Sequence, residues 1–164
     1  MLPLGHLAIR SFEHGVGDRL TRFSRDEQLT MMTLWCIFRS PLMLGCELRD
    51  NDDWTLGLLT NPEVLRLLNH SHSGRQLYRF GPHIAWTAQD EDGRQYLAVF
   101  NTGVTTVSIE TPLAKLGLTG PQAVRDVWQQ ADLGEFENSI AVQVPPHGAR
   151  LVKVSSATRV SANH

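Results

Sequence analysis

Ser24-Arg25-Asp26-Glu27-Gln28-Leu29-Thr30-Met31-Met32-Thr33-Leu34-Trp35-Cys36-Ile37-Phe38-Arg39-Ser40-Pro41-Leu42-Met43 is the stretch whose reading decides the fold class of this chain. It opens on a capping box: Ser24 and Glu27 can each satisfy an orphan backbone N–H of the other at a helix start. Leu29, Met32 and Cys36, with Leu34, Trp35 and Phe38, recur at spacings of three and four, so a broad face of a helix over Arg25–Arg39 is apolar. Ser40-Pro41 predicts its end, because the residue before proline is pushed out of the helical region. Leu42-Met43-Leu44-Gly45-Cys46 follows at once, apolar on both alternating sets, as suits a parallel strand covered on both sides.

Beyond the strand, Asp52 or Asp53 predicts a cap for a helix through Trp54–Leu59. Thr60-Asn61-Pro62 restarts another that runs to about Leu68, with proline in its first turn. Helix, buried strand, helix is α/β material. One strand makes no sheet, so this half is incomplete by itself.

Past residue 75 the period changes to two. Strands are predicted at Gln76–Phe80, Ile84–Ala88, Gln95–Asn101, Thr105–Glu110, Ala123–Trp128, Ile140–Val144 and Ala149–Val154, with a helical turn at Pro112–Leu116. Turn signals stand at Asp92-Gly93, Thr102-Gly103, Asp132-Leu133-Gly134 and Pro145-Pro146-His147-Gly148. Short strands at this spacing argue for an antiparallel sandwich. The expected division is an α/β portion over 1–74, a sandwich over 75–154 and a frayed polar tail over 155–164.

Composition excludes several classes. Residues are 41% hydrophobic and 20% charged, with fifteen basic side chains scattered among seventeen acidic ones. No basic stripe points to nucleic acid or an anionic membrane, and no apolar run approaches the ~20 residues of a membrane span. The segment Met1–His6 has neither the basic start nor the apolar stretch of a signal peptide, and nothing in the residues assigns a compartment. Cys36 and Cys46 make no disulfide framework and no Cys-x-x-Cys pair, so both read as small buried hydrophobes.

Motifs that carry chemistry are scarce. His70-Ser71-His72 invites a metal, but alternate residues of an extended segment face opposite ways and no further ligand lies at a suitable spacing. His6, His14, His83 and His147 stand isolated in the sequence. Asp50-Asn51-Asp52-Asp53 lacks the glycine and glutamate of a calcium loop and reads as turn and cap. No nucleophile elbow, phosphate loop or His-Glu-x-x-His occurs, so neither a metal nor an organic cofactor is expected.

Several segments nevertheless stand in a telling order: Met1-Leu2-Pro3-Leu4-Gly5, Phe23 to Gln28, Met31 to Trp35, Phe38 to Met43, and Leu58-Leu59-Thr60-Asn61-Pro62-Glu63-Val64. Together they resemble the C-terminal third of glycoside hydrolase family 27, the melibiase-type α-galactosidases and α-N-acetylgalactosaminidases. Ala85-Trp86 and Leu97 to Asn101 look like the first strands of that family's C-terminal sandwich, and Val144 to Gly148 like its closing hairpin.

The resemblance implies an α+β fold: the end of the seventh and all of the eighth unit of a (β/α)₈ barrel, then an antiparallel β-sandwich. It makes Ser24–Arg39 the seventh barrel helix and Leu42–Cys46 the eighth strand. Met1 is the one residue here that maps to a position lying against the sugar. The family's two carboxylates belong to earlier strand ends; retaining hydrolysis needs such a pair roughly 5 Å apart, and no pair here corresponds to them. The implied parent acts on α-galactosides, is compatible with secretion or a periplasmic location, and contributes no catalytic residue from this stretch.

Three readings stay open on residues alone: part of such a glycosidase, a free-standing sandwich that binds carbohydrate or a partner, or a complete enzyme. Trp54, Trp86 and Trp128 are the stacking candidates for the second. If barrel neighbours are absent, residues 1–70 are expected to self-associate or to disorder while the sandwich folds alone.

Overall fold

The computed structural model describes residues 1–8 and 17–157. A short antiparallel pair, β1 (His6–Ala8) with β2 (Arg19–Leu20), precedes helix α1 (Arg25–Ile37). The capping box is formed: Glu27 N donates to Ser24 Oγ at 3.2 Å and Ser24 N to Glu27 Oε2 at 2.8 Å. The helix stops two residues before the expected Arg39. Arg39 turns into the left-handed region (φ 57°) and Ser40 N donates to Trp35 O at 2.9 Å. A C-terminal backbone reversal therefore closes the helix before Pro41 acts.

Where an eighth strand was expected, Leu44 forms a parallel bridge with Leu2. Leu2 N donates to Met43 O at 2.7 Å and Gly45 N to Leu2 O at 2.9 Å, the slanted pattern of a parallel ladder. Helix α2 (Asp53–Thr60) is capped by Asp52, which accepts from Thr55 N at 2.8 Å. Helix α3 (Pro62–His70) is capped by Asn61.

Eight more strands follow: β3 (His72–Phe80), β4 (His83–Gln89), β5 (Gln95–Asn101), β6 (Val107–Pro112), β7 (Gln122–Asp126), β8 (Ala131–Phe136), β9 (Ser139–Val144) and β10 (Ala149–Ser156). Six form one antiparallel sheet in the order β3-β4-β5-β10-β7-β8, and β6 pairs with β9 in a second. A short 3₁₀ helix at Leu113–Leu116 fills the helical turn expected there.

Three sequence expectations are corrected. Asp132-Leu133-Gly134 is strand, not turn: it lies in β8, a largely exposed sheet edge with a register shift against β7 and Gly134 at φ 98°. Edge strands tolerate turn-forming residues at bulges, so the residue types misled. Pro145–Gly148 joins no hairpin; β9 and β10 belong to different sheets and the segment is a corner between them. Ser155 and Ser156 continue β10 rather than fray, while residues 158–164 of the expected tail lie outside the described residues.

The two faces of the large sheet carry separate cores. Leu97, Val99, Val152 and Val154 pack with Ile109, Ile140 and Val144 of the small sheet. Tyr96, Ala98, Phe100 and Leu151 join Met32, Cys36 and Ile37 of α1, Val64 and Leu67 of α3, and Leu2 and Leu4. The helices are thus a third layer laid on the sheet. The apolar face of α1 packs within this chain, against the large sheet.

Candidate functional site

The parallel bridge fixes the geometry that matters. Leu2 and Leu44 run side by side; β1 and β2 stand between Leu2 and α1, and the loop of residues 45–52 leads from Leu44 into α2. In parallel α/β architectures the loops after the strands carry the site, and these segments occupy that position. Gly45 is tightly placed there: a Cβ on it would stand 3.2 Å from both Leu2 O and the Cβ of Met1. Met1, just before Leu2, is 88% exposed.

The two loops are joined. Glu47 N donates to His6 O at 2.7 Å across them, and Thr21 N donates to Gly5 O at 2.8 Å within the first. Gly5 sits at φ 56°, where a Cβ would meet Thr55 side-chain atoms at 2.9 Å, so glycine is required on both counts. The His6 imidazole bridges two carboxylates, with Nδ1 at 2.5 Å from Asp50 Oδ2 and Nε2 against Asp18 Oδ1. The histidine that reads as isolated in the sequence is therefore the centre of a cluster. The hydrogen bond to Asp18 and then that to Asp50 hold its pKa above the ordinary histidine value. Its partners lie 12 and 44 residues away, and only folding brings them together. A carboxylate pair occupied by one imidazole is not poised for glycosidic chemistry, which needs one group free to attack and another to shed a proton.

Beside this cluster, Arg49 grips Glu47 through its Nε at 2.8 Å and holds the Glu47 carboxyl down at about 2. Asp50 to Asp53 serve as turn and cap as expected, with Asp50 used also by His6. His70 and His72 go separate ways: His70 ends α3 with Nδ1 3.5 Å from Glu91 Oε2, and His72 Nδ1 faces Ser73 Oγ at 3.0 Å. Among the described residues no group of three or more His, Cys, Asp or Glu is placed to hold a metal ion; His14 lies outside them. No helix among them is long and apolar enough to cross a membrane. Burial pushes the Cys36 thiol up to about 12 and raises that of Cys46.

The three candidate stacking tryptophans pack at the junction of helices and sheet. The Arg25 guanidinium covers the Trp54 ring at 5.2 Å from its centroid. Phe38 meets Trp86 edge-on with centroids 5.1 Å apart. Trp128 Nε1 donates to Thr33 Oγ1 at 2.8 Å. All three lean on the core shared by helices and sheet, so none presents a free platform on an open sandwich face.

Residues 80–154 match the family of α-galactosidase C-terminal β-sandwich domains. The α-galactosidase of Coffea arabica is 25% identical over 129 residues, which cover 76% of this chain and 34% of that protein. The isomalto-dextranase of Arthrobacter globiformis is 31% identical over 152 residues, covering 84% of this chain and 23% of that one. Among solved structures, the glycoside hydrolase family 27 β-L-arabinopyranosidase of Geobacillus stearothermophilus superposes with a TM-score of 0.90 at 50% identity, over 97% of this chain and 37% of its own. A variant of that enzyme was solved in complex with arabinose. The chain thus spans between 22% and 36% of the length of the α-galactosidases it matches.

Proposed function

Because the chain belongs to glycoside hydrolase family 27 and matches its C-terminal third, we propose that it supplies the last barrel unit and the β-sandwich of a retaining glycosidase. Residues 1–74 close the barrel and 75–154 form the sandwich. The catalytic carboxylates come from residues outside this stretch, and the chain by itself hydrolyses nothing. Met1, exposed beside the parallel pair, lies against the sugar in the whole protein. The observation that carries this reading is the 50% identity over 97% of the chain to a family 27 glycosidase, together with the parallel bridge Leu2–Leu44, the pairing a parallel barrel requires.

The substrate is a terminal α-galactoside or its β-L-arabinopyranoside counterpart. These two sugars share ring stereochemistry and differ by the hydroxymethyl group on C5, so one pocket design accepts either according to the room left there. Hydrolysis proceeds through a covalent glycosyl–carboxylate intermediate with net retention. Met1, Phe38, Met43 and Leu48 are each more than half exposed, and the Leu42–Cys46 segment pairs on one side only. In the whole protein upstream barrel residues cover them. In the isolated chain the same surface drives self-association through residues 1–70, because apolar area and a free strand edge both seek a partner.

The test begins with the mass and peptide map of the native protein from its source cells, followed by aryl α-galactoside and aryl β-L-arabinopyranoside assays. The reading expects a protein much longer than 164 residues that cleaves one of these with retention, visible as the first-formed anomer by NMR, while the 164-residue chain is inactive. Hydrolysis by the 164-residue chain itself, or inversion by the long protein, overturns it.

A further inference from the structure

We propose that His6 is a pH-dependent tie between the two loops that follow the parallel pair, positioning both loops only while its imidazole carries two protons. The geometry demands the charged form. A neutral imidazole has one N–H and one lone pair, yet His6 faces a carboxylate oxygen with each ring nitrogen: Asp50 Oδ2 on Nδ1 at 2.5 Å, and Asp18 Oδ1 on Nε2. Loss of either proton turns one hydrogen bond into a contact between a lone pair and an anion. The tie is then broken, and both loops loosen.

The carboxylates sit on different loops, which is what makes the contact a tie. Asp18 precedes β2, whose Leu20 pairs with His6 itself. Asp50 belongs to the loop ahead of α2, anchored to His6 through Glu47 N. The remaining charges around the ring reinforce the imidazolium. Glu47 interacts favourably with it, though Arg49 neutralises much of that carboxylate. Asp52 lines the same hollow of about 260 Å³ and is committed to capping α2. Arg19, which follows Asp18 and opens β2, pairs with Ala8 and is exposed. The His6 side chain is 16% exposed, while Asp18 and Asp50 are 54% and 59% exposed. Protons can therefore reach the cluster without unfolding.

The sign follows from linkage. The folded pKa of His6 lies above its unfolded value, so the tie is complete below about pH 6.5 and is lost as pH rises through the folded value. Each unit by which the folded value exceeds the unfolded one corresponds to about tenfold in the closed-to-open ratio of the tied loops. The consequence for a sugar site rests on the glycosidase reading above, since these are the loops on its active face. The tie itself does not.

The test uses the 164-residue chain. NMR of the His6 Cε1–H against pH gives its midpoint, and hydrogen-exchange mass spectrometry at matched intrinsic rates reports residues 17–22 and 47–52 from pH 5.5 to 9. The expected result is a His6 midpoint above the ordinary histidine value, with both loops losing protection severalfold and together across that midpoint while α1 is unchanged. Asp18→Asn and Asp50→Asn, both at exposed positions and near-isosteric, should each lower the His6 midpoint and loosen both loops at pH 6. A His6 midpoint at the ordinary value with loop exchange independent of pH overturns the proposal. So does an Asp18→Asn effect confined to its own loop. Failure of the aryl glycoside assays leaves these readouts untouched, so the two ideas fail separately.

Discussion

Replacing Asn61 by alanine should cost this chain about 2–4 kcal/mol, because one side chain holds a helix end and a sheet end at once. Its Oδ1 accepts from Glu63 N at 3.0 Å and Val64 N at 3.1 Å, capping α3. Its Nδ2 donates to Val127 O at 3.0 Å and reaches Trp128 O at 3.4 Å, just beyond β7. Losing the cap costs ~1 kcal/mol. Stranding the carbonyl of the fully buried Val127 costs a further ~1–3 kcal/mol. For a chain of this length each kcal/mol is worth ~2–4 °C, so a mid-range loss of about 3 kcal/mol lowers the melting temperature by ~6–12 °C.

The assay is urea and thermal unfolding followed at two probes, tryptophan fluorescence and far-UV circular dichroism. We expect one transition in the parent chain, since Met32, Leu67, Tyr96 and Leu151 share a core across the helix–sheet boundary. Asn61→Asp separates the two contributions. It keeps a capping oxygen but turns an anion toward the Val127 carbonyl, so it should lose at least ~2 kcal/mol although aspartate caps as well as asparagine. A loss under ~1 kcal/mol in Asn61→Ala refutes the reasoning. Equally fatal is a parent chain that melts in two steps, with the sandwich persisting after the helices are gone.

Ser24→Ala removes one half of the formed capping box and should destabilise by ~1 kcal/mol, read as a shift of ~2–4 °C in the same melts. Cys36, buried and with its thiol pushed up to about 12, should resist alkylation in native buffer at pH 8 and react fully in denaturant, as mass spectrometry can score. Acid should weaken the chain through Glu47, whose carboxyl is held at about 2 by Arg49. That contribution is present above the unfolded value near 4.3 and is lost as pH falls through about 2, so Glu47→Gln should flatten the urea midpoint over that range.

Much of this architecture was legible because the relevant signals are local. Ser24 with Glu27, Asp52 ahead of Trp54 and Asn61-Pro62 each mark a helix start within four residues, and each start is where it was expected. The strands of the large sheet's centre declare themselves by period. What escaped was whatever depends on distant partners. β8 carries Asp132 and Gly134, turn-forming residues that an exposed edge tolerates beside a bulge. Whether β9 and β10 pair with each other or split between sheets is decided by the packing of Ile140 and Val144 against Leu97 and Val152, not by the Pro145–Gly148 segment joining them. The His6 cluster was invisible for the same reason: Asp18 and Asp50 become its neighbours only after Leu2 and Leu44 align their two loops.

One local signal, Gln95-Tyr96-Leu97-Ala98-Val99-Phe100-Asn101, does speak to the relation between the two halves. All seven residues are buried. A strand with one face toward a sandwich core and the other toward water alternates apolar with polar, whereas a strand covered twice reads as a continuous apolar run. β5 obeys the second rule: Leu97 and Val99 face the small sheet, and Tyr96, Ala98 and Phe100 face the helices. β10 divides in the same way, with Val152 and Val154 on one side and Ala149 and Leu151 on the other. A sandwich meant to stand by itself would expose a wide apolar band across its two central strands, at a cost of ~25 cal/mol for each Å² left in contact with water. The Glu63–Arg125 pair at 2.8 Å and the Trp128–Thr33 hydrogen bond lie along the same seam and fix how the layers meet. The sheet is therefore built to be completed by α1 and α3, and through them to brace the loops tied at His6.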